Sequence, residues 1–492
     1  MRSSYGSHHS TARYALHLES DSRTRSMNLP HQHAIGMIRR EFLQVGFSGL
    51  LSLSALDLMR ANSLSAASND KGRSSTGLTS IRPRVKHVIL IFQTGAPSHV
   101  DTFDLKPDAP SGIRGSFNPI QTSVPGMTVT EHLPRLSRHF DKLAIVRSMS
   151  HKFNNHLNGT HEMLTGHTQP GAFFDKIASR DDYPSFASTL EYAKPRKDGI
   201  PNGVTLPTFL MEGPLVWPGQ HAGFLGPKYD PWLIKSDPNR KDFKVEEVNL
   251  PPGIAVERMA GRRNLLNNLG KISESLDSGN DHGGLDEQRR VAYSMLLSRQ
   301  VANAFDIQTE PDHVRDRYGR HMFGQSLLLS RRLVEAGVPV VQANMGRVQN
   351  WDSHQDIFTR LSKGLLPPLD QGVSALLEDL DARGLLDETL VILTGEFGRN
   401  PKIGTEGGAK PGRDHWSPCF TSVFAGGGVQ GGQYIGASDK NGAYPATRPI
   451  TPNDFGATVY QALGIDPELE VRDRLNRPIQ VVKGEPIRGL FA

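Results

Sequence analysis

Acids and histidines recur just after the predicted strands of this sequence. Asp352 and His354 follow one apolar run, Glu396 follows another directly, and a Gly-rich loop then leads to Asp414 and His415. In open α/β sheets, ligands collect beyond the carboxyl ends of the strands. Mixed imidazole and carboxylate donors suit zinc, iron or manganese, whereas an all-oxygen set would suit calcium or magnesium. These residues therefore predict a divalent-metal site, with zinc as the first choice and iron, manganese or calcium as the others.

A stretch rich in histidine and asparagine follows the predicted strand 143–146. Four of the chain's 19 histidines lie between residues 151 and 167. There a loop enters a predicted helix, whose N-terminus would favour anions. His156 and His161 are candidates to complete the metal site, as is Asp101 in the loop after the first predicted strand. Arginine and amide groups are suited to phosphate and sulfate oxygens. The candidate substrate contacts are Arg147, Asn155, Arg399 and Arg413.

A metal held in this way could polarise a phosphoryl or sulfuryl oxygen and lower the pKa of a bound water. The alternative interpretation is a strand end with a solvated Glu396 and a surface loop. Taken singly, each histidine or arginine is more often structural or solvated. Their joint occurrence at several strand ends favours the functional interpretation.

The elements that must position these residues alternate between strand and helix. The run Leu390–Val391–Ile392–Leu393 is typical of a strand buried on both faces. Further strands are predicted at 87–92, 143–146, 204–211, 340–345 and 420–424. Helices are predicted at 131–141, 286–300, 311–318, 323–336, 361–383 (kinked at Pro367 and Pro368) and 453–463. This alternation predicts an α/β fold with a central, mostly parallel sheet. The loop-rich residues 168–285 are expected to shape substrate access.

Charge and cysteine content narrow the class of function. Beyond residue 67 the chain carries 49 basic and 47 acidic residues, because the first 67 hold seven of the 56 basic and four of the 51 acidic residues. No nucleic-acid partner is therefore expected. The single cysteine, Cys419, excludes a disulfide within the chain.

The N-terminal region resembles an export signal. Arg39 and Arg40 are followed by Phe42 and Leu43, and then by a mildly apolar segment over 45–59. That segment is too short and too polar for a stable membrane span. Small residues at 65–67 offer a cleavage site. We predict a twin-arginine signal within residues 1–67, a linker over 68–84 and one domain over 85–492. The protein would then be exported to the periplasm by the twin-arginine machinery. The alternative is a surface amphipathic helix.

Several motifs resemble a known superfamily. They are Trp351-Asp352-Ser353-His354, the turn and strand over 384–392, Gly395-Glu396-Phe397-Gly398-Arg399, and Gly412-Arg413-Asp414-His415-Trp416. In this order they resemble the C-terminal half of the alkaline phosphatase and sulfatase superfamily. The chain from Lys86 onward more closely resembles the bacterial "domain of unknown function 1501" family, in its loop over 95–104 and its Gly-Glu-Phe-Gly-Arg strand end. The resemblance implies an alkaline-phosphatase-like fold. It also implies metal-dependent hydrolysis of phosphate or sulfate esters, on small anionic molecules or polysaccharides.

The chain departs from that superfamily's pattern at three places. Thr165-Gly166 places His156 where the superfamily has a Ser, Thr or modified Cys nucleophile. Gln93 stands where an Asp ligand is usual, with Asp101 as a substitute from the next loop. Glu396 replaces the usual Asp-His pair. Three alternatives follow. His156 is a covalent nucleophile, or it is a metal ligand with metal-bound water as the attacker, or hydrolysis is lost. In the last case the protein would be a non-catalytic anion- or glycan-binding protein.

Overall fold

The computed structural model describes residues 85–171, 176–196, 198–245, 299–346, 349–405 and 409–492, together with Gly261. They belong to a compact unit that spans Ile81–Ala492. A second unit, Met1–Ser80, lies outside the described residues. The predicted export signal and linker lie outside them as well, as does the predicted helix 286–300 up to residue 298.

An eight-stranded sheet forms the centre of the described unit. In chain order its strands are β1 His87–Phe92, β2 Leu143–Met149, β3 Gly203–Leu206, β4 Trp232–Leu233, β5 Val340–Asn344, β6 Thr389–Thr394, β7 Phe420–Ala425 and β8 Gln433–Ile435. Their spatial order is β8-β2-β7-β6-β1-β5-β3-β4. Only the two pairs that involve β7 are antiparallel among these neighbours. The predicted α/β fold with a mostly parallel central sheet is confirmed.

Helices cover both faces of this sheet. They are α1 His156–Thr165, α2 Phe186–Ala193, α3 Arg299–Phe305, α4 Asp312–Tyr318, α5 Met322–Glu335, α6 Leu366–Ala382 and α7 Pro452–Ala462. Alternate residues of a strand point to opposite faces. Ile89 and Ile91 of β1 pack into the core that α5 and α6 cover, whereas Val88, Leu90 and Phe92 pack into the core of α1, α2 and α7. The described unit therefore has three layers, with the sheet in the middle.

Shorter elements complete the described chain. Two-stranded pairs join Pro119–Gln121 to Thr128–Thr130, Met211–Glu212 to Leu215–Val216, Gly398–Arg399 to His415–Trp416, Ala437–Ser438 to Pro445–Thr447, and Glu470–Arg472 to Pro478–Gln480. Short α-helical turns lie at Ser111–Arg114 and Ile357–Thr359. The 3-10 helices are His99–Asp101, Leu136–Lys142, Gly223–Leu225, Pro227–Tyr229, Ile307–Thr309 and Leu386–Glu388. No described helix combines the length and the apolar character needed to cross a membrane.

Three predicted elements differ from the structure. The helix predicted over 131–141 is wrong, because only a 3-10 helix forms there, over Leu136–Lys142, after Pro134. The strand predicted over 204–211 ends at Leu206, before Pro207, which has no N–H to donate to a neighbouring strand. The predicted helix 361–383 is divided just before Pro367 and Pro368, where α6 begins at Leu366. The prolines lie in the first turn of α6, where no intrahelical donor is needed, and a π-helical turn over Arg360–Leu365 precedes them.

Three central strands end level with one another. Phe92 of β1 is paired with Thr394 of β6 on one side and with Asn344 of β5 on the other. The loops that follow these parallel strands therefore leave the sheet at one edge. Parallel strands whose carboxyl ends align in this way are the usual support for a ligand site.

Candidate metal centre

Three segments of the chain meet at this edge of the sheet. Helix α1 begins at His156, and the side chain of Asn155 caps it by accepting a hydrogen bond from the Asn158 N–H at 2.9 Å. The turn after β5 carries Asp352 and is tied to the loop after β1, since the Trp351 N–H donates to the Thr94 carbonyl at 2.8 Å. The third segment is the two-stranded pair in which Arg399 lies opposite His415.

Gly95 allows these segments to approach closely. Its φ is 102°, and a Cβ atom added there would lie 2.6 Å from the backbone nitrogen of Asp352. Its own N–H donates to Oε1 of Glu396 at 2.7 Å. Because any larger residue would displace the 349–352 turn or the loop itself, the position of Asp352 depends on glycine at this place.

Three imidazole nitrogens converge on the carboxylate of Asp352. The Nε2 atom of His156 lies 3.2 Å from Oδ2, and the Nε2 atoms of His354 and His415 lie 3.1 and 3.4 Å from Oδ1. The Nε2 atoms of His354 and His415 are 3.0 Å apart. Donor atoms of His156, Asp352 and His415 all lie within 4.8 Å of one another, as the ligands of a single ion would. The arrangement is a compact set of three nitrogens and one carboxylate.

The other ring nitrogen of each histidine contacts an oxygen acceptor. These Nδ1 contacts are to Oε1 of Glu396 at 2.7 Å for His156, to Oδ1 of Asp414 at 2.7 Å for His354, and to the carbonyl of Asn154 at 2.8 Å for His415. With an ion bound, the oxygen acceptor at Nδ1 would hold the ring proton there and leave the Nε2 lone pair to the ion. Metal-binding histidines in proteins are commonly oriented in this manner. The Nε2 atoms are therefore prepared to act as donors.

Two aromatic side chains hold the His156 ring in place. Trp217 stacks with it at 5.5 Å between ring centroids and Phe397 at 5.2 Å, with interplanar angles of 22° and 28°. The His156 side chain is only 7% exposed, whereas those of His415 and His354 are 22% and 37% exposed. The centre is closed on the His156 side and open to solvent on the other.

Burial and neighbouring charges shift the pKa values of the residues in this cluster. Burial opposes protonation of His156, but its hydrogen bonds to Asp352 and Glu396 outweigh that effect and raise its pKa to about 9. For Asp352, burial is outweighed by hydrogen bonds from the histidines and by the charge of Arg399, which hold its pKa well below the usual range. The hydrogen bond to Asp352 raises the pKa of His354, and burial lowers that of His415. In the metal-free protein a proton on His156 therefore takes the place of a cation.

Arg399 lies inside this centre, where it contacts Asp352 rather than open solvent. Its side chain is fully buried, and its Nη2 lies 2.5 Å from Oδ1 of Asp352. Its Nε donates to the carbonyl of Ala96 at 2.9 Å, and Nη2 also donates to the carbonyl of Gly95. The guanidinium predicted to bind a substrate anion instead orients a candidate ligand.

Asp101 and Arg413, predicted as a metal ligand and a substrate contact, form an ion pair with one another. Nε and Nη2 of Arg413 lie 2.7 and 3.0 Å from the two carboxylate oxygens, and both side chains are fully buried. Ser98 also donates to Asp101 at 2.6 Å. Since both oxygens of Asp101 are occupied, this pair joins the loop after β1 to the segment before His415 and contributes no donor to the cluster.

The remaining predicted residues lie at or outside the rim of the cluster. Glu396 and Asp414 contact the histidines, so the structure gives them an orienting position rather than one among the converging donors. Arg147 lies 3.8 Å from the centroid of the Tyr434 ring and 3.5 Å from Asp104. His161 is fully buried, with Nδ1 at 2.8 Å from the carbonyl of His167.

The sequence did not indicate two of the contacts. Trp217 comes from the loop-rich middle third of the chain, and nothing in its spacing places it on His156. The contact to His415 is made by the backbone carbonyl of Asn154, which every residue possesses. Only the density of polar residues over 151–167 offered a signal.

Fold and site together define an α/β protein with a histidine-rich candidate metal centre at the carboxyl edge of its sheet. The chain belongs to the family described as protein of unknown function (DUF1501), whose profile matches residues 85–491. No curated protein matches the sequence significantly.

The chain is similar to several solved structures, three of which follow. One is Ps i-CgsB in complex with k-i-k-neocarrahexaose, at 11% identity and a TM-score of 0.38, covering 81% of this chain and 74% of that one. Another is the PsFucS1 sulfatase from Pseudoalteromonas sp., at 15% identity and a TM-score of 0.34, covering 78% and 68%. A third is the alkaline phosphatase from the Antarctic bacterium TAB5, at 12% identity and a TM-score of 0.32, covering 78% and 98%. All three similarities are low.

Proposed function

We propose that this protein is an exported, metal-dependent hydrolase of phosphate or sulfate esters, with esters on polysaccharides among its substrates. The observation that carries the proposal is the convergence of three histidine Nε2 atoms on Asp352, with an oxygen acceptor at Nδ1 of every ring. A purely structural cluster has no need to direct all three Nε2 atoms at one carboxylate.

The donor set fits a divalent transition metal. His156, His354, His415 and Asp352 would hold the ion. Nitrogen donors favour zinc, iron or manganese over calcium, which prefers oxygen. Such an ion would polarise an ester oxygen and lower the pKa of a water molecule. The solvent-open side, beside His354 and His415, is where an anionic ester would enter.

Other residues of the chain position these metal ligands. Arg399 fixes the carboxylate of Asp352, and Glu396 and Asp414 fix the rings of His156 and His354. His156 serves as a ligand rather than a nucleophile, because its ring lies between two aromatic side chains and both its nitrogens are engaged. Asn155 remains a candidate substrate contact at the start of α1. Arg147, Arg399 and Arg413 already contact acids of the protein, which are Asp104, Asp352 and Asp101 respectively.

A second candidate function is binding without catalysis, of an anion or a glycan. One feature of the sequence favours it: by the resemblance described above, His156 stands where that superfamily has a Ser, Thr or modified Cys nucleophile. The protein would then use its fold and its candidate metal centre to bind the anion or glycan without hydrolysing it.

Two measurements on one preparation separate these functions. Elemental analysis of the protein purified without added metal should find about one transition-metal ion per chain. The Asp352→Ala variant should contain no metal and should keep the parent's circular dichroism spectrum. Asp356→Ala is the matched control, since Asp356 lies in the next turn and pairs with Lys410. Hydrolysis of aryl phosphate or aryl sulfate by the parent, lost in Asp352→Ala, supports the enzyme. Metal without hydrolysis supports the binding protein. A parent that takes up no metal contradicts the proposed centre.

The proposed export depends on residues outside the described structure. Arg39 and Arg40 should be required by the twin-arginine machinery, because they form the paired arginine of the predicted signal. In a bacterial host with that pathway, Arg39→Lys together with Arg40→Lys should retain the precursor in the cytoplasm. Export of this variant at the parent's level would contradict the proposed route.

A further inference from the structure

A cavity of about 340 Å³ lies on the outer helical layer and shares no residue with the candidate metal centre. One wall is a face of α6, on which Gln371, Ser374 and Glu378 follow one another at helical spacing. The other walls are the start of the 3-10 helix Leu136–Lys142 and the end of α4. We call this cavity the arginine pocket.

Three arginines line the arginine pocket: Arg135, Arg138 and Arg317. Arg317 pairs with Asp379 at 3.2 Å. The one acid in the lining, Glu378, lies 3.1 Å from Nε2 of His139. Within the described chain, Arg135 and Arg138 form no ion pair. The buried carboxylate of Asp370, which accepts the backbone N–H groups of Arg135 and Leu136, also acts on the charges of Arg135 and Arg138. The lining itself carries three arginines against one acid and therefore has an excess of positive charge.

Exposed arginines elsewhere on the described surface are mostly compensated. Arg180 pairs with Asp230 at 2.7 Å, and Arg477 pairs with Asp473 at 2.7 Å. Among the described residues, exposed Arg114, Arg448 and Arg472 also form no ion pair. The arginine pocket differs from these positions because two unpaired arginines line one cavity, where both can contact the same anion.

Ser374 provides a second and independent observation. It lines the pocket at only 2% exposure, and its Oγ has no hydrogen-bond partner. A serine within a helix normally donates to the carbonyl four residues earlier when it is buried. An unsatisfied buried hydroxyl is uncommon and calls for a missing partner. The Ser374 hydroxyl and the guanidinium groups of the arginines can all donate hydrogen bonds to the oxygens of an anion.

We propose that the arginine pocket binds the phosphate or sulfate group of a small molecule or of a chain end. Guanidinium forks match the oxygens of these groups, and a serine hydroxyl can donate one more hydrogen bond. The volume is at the lower end of the roughly 300–1,000 Å³ typical of small-molecule pockets, so a group attached to a sugar-sized body fits. This site is independent of the proposed metal centre.

The test is calorimetric titration of the full chain with sodium sulfate and sodium phosphate, at an ionic strength held constant with sodium chloride. Saturable binding is expected. Arg135→Ala combined with Arg138→Ala should weaken it at least tenfold, and Ser374→Ala should weaken it severalfold. Arg488→Ala, an exposed arginine elsewhere, is the matched control and should bind as the parent does. Titration with glucose 6-sulfate and glucose 6-phosphate distinguishes the sources, since tighter binding than that of the inorganic ions identifies an ester.

Asp352→Ala separates this site from the metal centre. It should retain the saturable sulfate binding that Arg135→Ala combined with Arg138→Ala loses. If Asp352→Ala loses sulfate binding while the double arginine variant keeps it, the anion binds at the centre and the arginine-pocket proposal is wrong, although the proposed function stands. No saturable binding by the parent overturns the pocket as well.

Discussion

Nδ1 of His156 and Oε1 of Glu396 lie 2.7 Å apart, although 240 residues separate them in the chain. The same oxygen accepts the Gly95 N–H at 2.7 Å, and the side chain of Glu396 is fully buried. A buried carboxylate in contact with one imidazole fixes both the orientation and the basicity of that ring. Glu396 thus acts on the candidate centre through His156.

Glu396→Gln tests this relation. The amide keeps the shape but removes the charge, so the metal affinity should fall about 10- to 100-fold, the usual effect of losing such a partner. Competition with a chelator of known affinity measures it. Glu388→Gln, at the start of the same strand and paired on the surface with Lys86, is the control and should leave the affinity unchanged. An unchanged affinity in Glu396→Gln would remove Glu396 from the centre.

His415→Ala should abolish stoichiometric metal binding, because it deletes one of three converging nitrogens. Folding should be retained, since this side chain is partly exposed and lies at the open side of the centre. His139→Ala, a surface histidine that contacts Glu378, should bind metal as the parent does. Elemental analysis after gel filtration gives the result. Full occupancy in His415→Ala would show that the ion is held by other residues.

The stability of the metal-free protein should fall as the pH rises from 6.5 to 9. The folded-state pKa of His156, raised to about 9, exceeds its usual value of 6.5. The stabilisation is therefore complete below pH 6.5 and is lost as the pH passes through 9. The loss should be about 3 kcal/mol, at 1.36 kcal/mol for each pKa unit. Urea unfolding in the presence of a chelator measures it.

His156→Gln should flatten that pH dependence. Three other buried histidines act in a separate range, since burial lowers the pKa of His151, His161 and His167 to about 4, 3 and 4. Their contribution is complete above pH 6.5 and is lost as the pH falls toward 4. His354, whose pKa is also raised, contributes above pH 6.5 as well, so the part of the slope that is lost in His156→Gln is the part that belongs to His156. If the stability of His156→Gln depended on pH as steeply as that of the parent, another group would be responsible for the pH dependence.

Arg413→Met should destabilise the fold by about 3–5 kcal/mol, because it leaves the carboxylate of Asp101 buried without its partner. Adding Asp101→Asn should restore part of this loss. Arg474→Ala, which breaks the exposed pair with Asp181, should cost less than about 1 kcal/mol. Chemical unfolding of the parent, Arg413→Met, Asp101→Asn and the double variant gives the coupling energy. If the double variant were less stable than Arg413→Met, the buried pair would not explain the cost.

The sequence indicated the central strands well, because long apolar runs such as residues 390–393 have few alternatives to burial within a sheet. It failed where a distant side chain decides the local structure. The carboxylate of Asp370 accepts hydrogen bonds from the backbone N–H groups of Arg135 and Leu136, and a 3-10 helix follows there instead of the predicted α-helix. No local pattern reveals a partner more than 230 residues away.

The candidate site was also predictable only in part. Strand ends predicted that Asp352, His354 and His415 come together, since parallel strands deliver their loops to one edge. The pairing of Asp101 with Arg413 was not predictable, because it spans 312 residues and both residue types also suit a ligand site. Glu396 and Asp414 contact Nδ1 atoms of His156 and His354 instead of joining the converging donors, and the sequence does not distinguish these two positions.

The three segments that meet at Asp352 have a consequence for how the fold is held together. His156 and Asp352 are 196 residues apart, and His354 and His415 are 61 apart. An ion bound to all four would close both loops at once, as a pair of covalent cross-links would, in a chain whose single cysteine cannot form one. Removing the ion would then release both constraints at once, although the sheet and the buried pair of Asp101 and Arg413 still connect these segments. The durability of the protein in its surroundings would follow the local supply of metal.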